Sequence, residues 1–353
     1  MRWKHNLGQP GVFAALGAAL LFGAGTPLAK RLLDDVGPWM LAGLLYVGSG
    51  LGLTLLRRLR GAAPVRLPPG QWRWLAGAVV AGGVVGPVLL MFGLTRMPAS
   101  GASLLLNAEG VFTALLAWFA FRENFDRRIA IGMLAIVAGA VVLSWPAGSP
   151  ATAGIASAWP ALAVLGACLA WAIDNNLTRK VALNDAMWIA SVKGLVAGAV
   201  NLVLAVAVGS ALPAWPVVAG AMTLGFLAYG ISLTLFVVSL RHLGTARTGA
   251  YFSVAPFFGA LLAVVWLGEG IDPKLAVAGA LMALGVGLHL SEQHLHEHRH
   301  EPTEHDHEHE HDVHHAHGHA PGQAATRHSH PHRHPPLAHR HEHFPDEHHR
   351  HSH

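Results

Sequence analysis

Three groups of residues in this 353-residue chain have the types and spacing to do chemistry. The first is Glu109, with Asn107 two positions before it, inside the apolar run Leu104–Leu116. Removal from water disfavours the charged form of a carboxyl, so such a group can take up and release a proton during a transport cycle. The alternative is a carboxyl that ties helices together through Asn107 or Ser103. The second group is Asp174, Asn175 and Asn176 with Lys193, two opposite charges that can share the cost of lying in an apolar setting as a gate or as a structural clip. The third is a histidine-rich tail: all of the 26 histidines except His5, His242 and His289 lie from His294 onward, mostly as His-x-His. Neutral imidazole ligates zinc, nickel, cobalt and copper. The candidate ligands are His294, His296, His298, His300, His305, His307, His309 and His311, with Glu297, Asp306, Glu308 and Glu310 adding negative charge. Two HExxH strings, starting at His296 and His307, are chance products of a tail built from His and Glu and do not indicate a protease. The lone Cys168 excludes a disulfide framework or a multi-cysteine cluster within one chain.

The elements that must position these groups follow from composition. The chain is 52% hydrophobic and 12% charged, with mean hydropathy +0.40, against roughly 25% charged residues in soluble domains. It reads as an integral membrane protein. Ten apolar stretches approach the roughly 20 residues needed to cross a hydrocarbon core: Gly11–Ala29, Gly37–Leu56, Trp74–Leu94, Pro98–Phe121, Ile129–Trp145, Trp159–Leu177, Ala186–Val208, Pro216–Leu240, Thr248–Leu267 and Leu275–Leu290. Lipid offers the backbone no hydrogen-bond partner, so each is a helix and the fold class is an all-α bundle. Glu109 then lies about 16 Å from either end of its span, too deep for its short side chain to reach water outside. A cytoplasmic N-terminus puts Arg57, Arg58, Arg60, Arg122, Arg179, Lys180 and Arg241 on the inner side and leaves Lys30, Arg31, Arg96 and Lys274 outside. Both termini are then cytoplasmic, and the basic balance reflects membrane orientation rather than nucleic-acid binding.

The chain also repeats itself. Leu94–Glu123 lies over Leu240–Glu269 without a gap, matching Leu94 with Leu240, Phe112 with Phe258, Ala114–Ala117 with Ala260–Ala263 and Glu123 with Glu269. A five-helix unit used twice, with an odd number of spans per unit, gives inverted repeats, an architecture of transporters. The expected organisation is a short N-terminus (1–10), a first repeat (11–145), a linker (146–158), a second repeat (159–290) and a tail (291–353) too poor in apolar residues to bury a core and hence disordered. The second copy has Ala255 where the first has Glu109, so a coupling carboxylate would be single.

The segments Pro98–Glu123, Gly249–Glu269 and Ala167–Lys180 resemble EamA-type permeases of the drug/metabolite transporter superfamily. The resemblance covers about residues 11–290. It implies an inner-membrane carrier with a central cavity between two repeats, working by alternating access on small organic solutes.

Trp171, Tyr251, Phe252 and Phe258 are candidates to line a cavity for organic cations or aromatic metabolites, or else pack as ordinary membrane aromatics. The leading expectation is a secondary carrier of small organic solutes with Glu109 as the coupling group and a metal-binding tail. Two alternatives are an exporter of nickel, cobalt or zinc, and a membrane-anchored metal buffer or sensor. With no phosphate-binding Gly-Lys motif and no nucleophile elbow, enzymatic activity is not expected, and neither is a required cofactor. The expected partners are the bilayer, a small-molecule substrate and divalent metal ions, without nucleic acid, in a monomer or homodimer.

Overall fold

The computed structural model describes residues 10–65, 67–121, 127–145, 155–181, 184–243, 251–290, 294–299, 303–309, 328–334 and 338–343. Among the described residues up to Leu290 every regular element is a helix, and these helices form one compact unit. The helices are α1 (Pro10–Leu32), α2 (Pro38–Leu59), α3 (Trp72–Ala78), α4 (Gly86–Arg96), α5 (Ala99–Leu105), α6 (Ala108–Phe121), α7 (Arg127–Ser144), α8 (Ile155–Thr178), α9 (Ala186–Ala207), α10 (Trp215–Gly225), α11 (Ser232–Leu243), α12 (Ala255–Leu267) and α13 (Pro273–Leu290). Seven helical stretches are long and apolar enough to cross a bilayer, and Ala130–Ser144, Ala255–Leu267 and Pro273–Leu288 are shorter stretches of the same character. The apolar stretches read from sequence fall on these elements.

Local chemistry sets the ends. Pro38 opens α2 at a position whose N–H has no helical partner, and Gly61 turns the chain away after it at φ +62°. Asp185 caps α9, accepting from the amides of Met187 at 2.9 Å and Trp188 at 3.1 Å. Glu269 reaches back to the start of α5, accepting from Ala99 N at 2.7 Å and Ser100 N at 2.8 Å. Glu123, its counterpart in the internal repeat, lies outside the described residues.

Packing pairs each half of the chain with the other. The α2 helix packs on α9 and α10, α1 on α11 and α12, α4 and α6 on α8, and α7 on α13. Contact between α2 and α9 is backbone to backbone. A Cβ on Gly50 would stand 2.5 Å from Leu195 N, and one on Gly194 would stand 2.7 Å from Gly50 N. Small residues permit this approach where no hydrophobic effect drives helices together. Met40, Leu41, Leu45, Leu90, Met91, Leu94 and Leu105 fill the interior. Outward-facing Leu134 and Val203 are each 68% exposed, which suits lipid rather than water.

Among the described residues, four interruptions depart from the unbroken spans that the hydropathy suggests. Between α3 and α4, Val79–Val85 forms a π-helical turn, and between α10 and α11 Phe226–Ile231 forms another. Between α5 and α6 the helix stops for a turn at Leu106–Asn107, and the second half turns likewise at Ser253–Val254 immediately before α12. Hydropathy measures only how apolar a segment is, so a break inside an apolar run leaves no mark on it.

Residues from Gln293 form a separate unit. In the described residues of the tail, β1 (His294–Arg299) pairs antiparallel with β4 (Ala338–His343), and β2 (Thr303–His309) with β3 (His328–His334). Alternating His-x-His has the two-residue period of a strand. The register sets His294, His296 and His298 opposite His343, His341 and His339, and His305, His307 and His309 opposite His332, His330 and His328. His300 and His311 lie outside the described residues.

Candidate functional site

Glu109 stands in the first turn of α6, directly after the break. Through that break the chain runs on short-range bonds, with Asn107 N donating to Leu104 O and Glu109 N to Leu106 O, both at 3.1 Å. The Asn107 side chain is spent on the same turn, donating to Leu104 O at 3.0 Å. Neither Asn107 nor Ser103 therefore holds Glu109; the Ser103 hydroxyl is buried with no partner among the described residues. The partner of Glu109 is Asn175 on α8, whose amide donates to Oε1 at 2.9 Å and lies 3.3 Å from the Thr113 hydroxyl. One side chain thus ties the broken helix to α8.

The two charges expected to pair do so. Lys193 Nζ on α9 donates to both oxygens of Asp174, at 2.5 and 2.7 Å, and lies 3.3 Å from the Thr178 hydroxyl, which itself donates to Asp174 at 2.8 Å. The Asp174 carboxylate rests against Gly82 in the first π turn, in the space a Cβ would occupy. Glu109 lies within electrostatic reach of both Asp174 and Lys193. Two carboxyls and one ammonium therefore share one region where α6, α8 and α9 meet the π turn.

That π turn is held open by polar side chains. Pro87 has no N–H to return to Gly82 or Gly83, so their carbonyls need other donors. Tyr46 Oη and Trp171 Nε1 donate to Gly82 O at 2.7 and 2.9 Å, and Asn201 Nδ2 donates to Gly83 O at 2.9 Å. Trp171 is buried and fixed by this bond, so it frames the site from behind. Phe258 packs against Gly23 at the crossing of α1 and α12. Tyr251 is half-buried just before the second break.

From Tyr46 an aromatic row leads away from the charges. Its ring centroid is 5.6 Å from Tyr229, which is 5.9 Å from Phe22; Phe22 is 5.4 Å from Phe252, and Phe252 is 4.9 Å from Phe236. Glu109, Tyr46 and Tyr229 are each half-buried.

The breaks fall at matched positions. In the register that sets Leu94 over Leu240, Asn107 falls on Ser253, and Val79–Val85 falls on residues 225–231, the second π turn and the residue before it. Interrupted membrane helices in corresponding positions of two halves mark a binding site, because backbone freed from helical bonding is tolerated only where it is buried or lines a cavity. Tyr46, Tyr229, Phe22, Thr113 and Gly82 take part in these contacts although the sequence alone did not single them out. The one available signal was the pair Gly82-Gly83 standing four or five residues before Pro87.

Comparison with known proteins bears on this arrangement. The model of the EamA-like transporter family matches the chain twice, at residues 9–145 and 158–291. The chain belongs to the EamA-like transporter family. It is a multi-pass membrane transporter. An uncharacterized transporter of Methanothermobacter thermautotrophicus is 25% identical to it over 291 residues, covering 78% of this chain and 84% of that one. The uncharacterized inner membrane transporter YedA of Escherichia coli K12 is 24% identical over 290 residues, covering 78% and 87%. A probable terminal-alkyne amino-acid exporter of Streptantibioticus cattleyicolor is 32% identical over 207 residues, covering 56% and 66%. A solved crystal structure superposes with a TM-score of 0.61 at 21% identity, covering 79% of this EamA-like chain and 94% of the other, which speaks to the fold alone.

Proposed function

We propose that this EamA-like protein is a secondary carrier of small organic solutes, working by alternating access as two inverted five-helix repeats in a cytoplasmic membrane, with Glu109 as its coupling group. The observation that carries this is the placement of Glu109 immediately after one of two matched helix breaks, half-buried and held by a neutral amide. A carboxyl in that setting can exchange a proton with either side in turn as the two halves alternate, and among the described residues the groups facing it are Asp174, Lys193, Asn175, Tyr46 and Cys168. The Asp174–Lys193 pair clips α8 to α9 beside it. Pairing across the two halves supports the inverted arrangement, since each half completes its packing only with the other. The inward bias of Lys and Arg supports cytoplasmic termini, and the relatives named inner membrane transporter and amino-acid exporter support the membrane and the direction.

The tail acts as an appendage that binds zinc, nickel or cobalt. Its composition supports this, and so does a register that sets histidines opposite one another at the separation of strand partners. Among the described residues no cluster of three or more His, Cys, Asp or Glu is arranged to hold a metal ion. The relative named an amino-acid exporter favours the organic-solute carrier over metal export.

Comparing the excreted metabolites of cells overproducing the protein with those of cells carrying an empty vector tests this function. At least one organic solute is expected to accumulate in the medium, and a protonophore should lower its excretion. An unchanged medium together with a fall in cell-associated nickel, cobalt or zinc would replace this account with metal export.

A further inference from the structure

The stretch that joins α2 to α3 is strongly basic and is anchored at both ends to the start of α9. Residues 57–73 hold five arginines, and the chain has no acidic residue between Asp35 and Glu109. At one end of the stretch Arg57 pairs with Asp185 and donates to Ala63 O at 2.9 Å. At the other, Gln71 Oε1 accepts from Asn184 Nδ2 at 2.9 Å, and Trp72 meets Trp188 edge to face with ring centroids 6.2 Å apart. Between them Leu67 is buried in a small apolar cluster with Leu75 and Ile189. The arginines are thereby gathered around residues 184–188, where the span Pro38–Leu59 ends and the spans Pro69–Arg96 and Ala186–Ala207 begin. Asp185 is already engaged there, by Arg57 and by the amides of Met187 and Trp188.

Cations and apolar side chains are both presented outward at this end. Arg58, Arg60 and Arg73 are exposed, and the Arg73 guanidinium lies 4.7 Å from the centre of the Trp74 ring. Leu51, Leu55 and Leu59 follow one another at four-residue spacing on one face of α2, 49%, 59% and 76% exposed, and lead to Arg58 at the helix end. An apolar stripe on a spanning helix faces acyl chains, so the arginines at its end stand at the level of the headgroups, where half-exposed Trp72 also belongs. We infer that this end of the protein is a docking surface for anionic phospholipid, with headgroup phosphates on Arg58, Arg60 and Arg73 and acyl chains along Leu51, Leu55 and Leu59. A planar guanidinium matches a phosphate with two parallel hydrogen bonds, and basic residues at the membrane surface attract anionic lipid. A zwitterionic lipid would bring its own cationic group to the same arginines. In the orientation proposed above, the surface lies in the cytoplasmic leaflet.

Titrating the purified full-length protein in detergent with phosphatidylglycerol and with phosphatidylcholine, and following the lipid adducts by native mass spectrometry, tests this. The first phosphatidylglycerol is expected to bind at least about fivefold more tightly than the first phosphatidylcholine. Arg58→Gln, Arg60→Gln and Arg73→Gln together should bring the two affinities level. Removing charge at the opposite ends of the spans, with Arg31→Gln and Arg96→Gln, should leave the preference in place. All three arginines are exposed, so the triple variant is expected to unfold in detergent at the wild-type temperature. Soluble glycerol phosphate, which offers the phosphate without acyl chains, is expected to give no adduct under the same conditions. Equal binding of the two lipids by the wild type, a preference that survives the triple variant, or an equal loss in the Arg31 and Arg96 variant overturns the inference. An adduct with glycerol phosphate as tight as that with phosphatidylglycerol overturns lipid as the occupant.

Discussion

At the scale of single residues, the membrane makes charge the informative quantity. Asp174 and Lys193 lie together at low exposure, so removing either partner leaves an uncompensated charge in an apolar region. Lys193→Met is expected to destabilise the protein by about 3–5 kcal/mol, and the double variant Asp174→Asn with Lys193→Met by markedly less. Thermal unfolding in detergent measures both, and equal losses in the two variants would show that the pair does not act as a unit. Asp185 lies outside the spans, paired with Arg57 and capping α9. Burial pushes its carboxyl up, but the hydrogen bonds from Arg57 and from the amides of Trp188 and Met187 outweigh burial and hold it below the usual value of 3.8. A group lowered on folding stabilises the fold above its unfolded value, and that contribution is lost as pH falls through the folded value. Asp185→Ala is therefore expected to cost about 1 kcal/mol at neutral pH and nothing in strong acid. A cost that persists unchanged at low pH would contradict the cap. Glu109 and the Asp174–Lys193 pair were legible from sequence because a charge in an apolar run is conspicuous. Tyr46 and Tyr229 were not, because aromatic side chains in membrane helices look alike whether they line a cavity or face lipid.

At the scale of elements, the working parts are the interruptions. At the first π turn Pro87 offers no N–H to Gly82 O or Gly83 O, and Tyr46, Trp171 and Asn201 supply donors from three other helices. Pro87→Ala restores the N–H and lets the turn close toward an ordinary helix, which would withdraw Gly82 O from Tyr46 and Trp171. Solute export is expected to fall severalfold while thermal stability holds or rises. Unchanged export with raised stability would mean that the turn is incidental to transport. Gly82→Val drives a side chain into the place of the Asp174 carboxylate, so it is expected to lose export at normal membrane levels. Helix positions were readable because about 20 apolar residues in a row have few alternatives in lipid. The breaks were not, since they come from hydrogen bonds made by residues distant in sequence, such as Asn201 with Gly83 at 2.9 Å.

At the scale of the whole molecule, the two halves depend on each other for packing and differ at their matched breaks, where Glu109 stands in the first. The internal duplication was visible in the gapless overlay of Leu94–Glu123 on Leu240–Glu269, and so was its asymmetry, with Ala255 in the place of Glu109. The tail was legible only as chemistry: composition announced imidazole ligands but gave no register for the pairing of its strands. Removing residues from Ser291 onward is expected to leave solute export intact and to abolish most nickel binding, as measured by equilibrium dialysis of the purified protein; loss of export on truncation would make the tail part of the transport cycle. The central claim is that Glu109 is the coupling group of an organic-solute carrier. It is tested most directly by comparing export of the solute identified in the medium between cells producing the wild-type protein and cells producing Glu109→Gln at equal membrane levels, across a series of external pH values. The account predicts pH-dependent export for the wild type, and export at background and insensitive to pH for the variant. Export by Glu109→Gln with the wild-type rate and the wild-type pH dependence would contradict it.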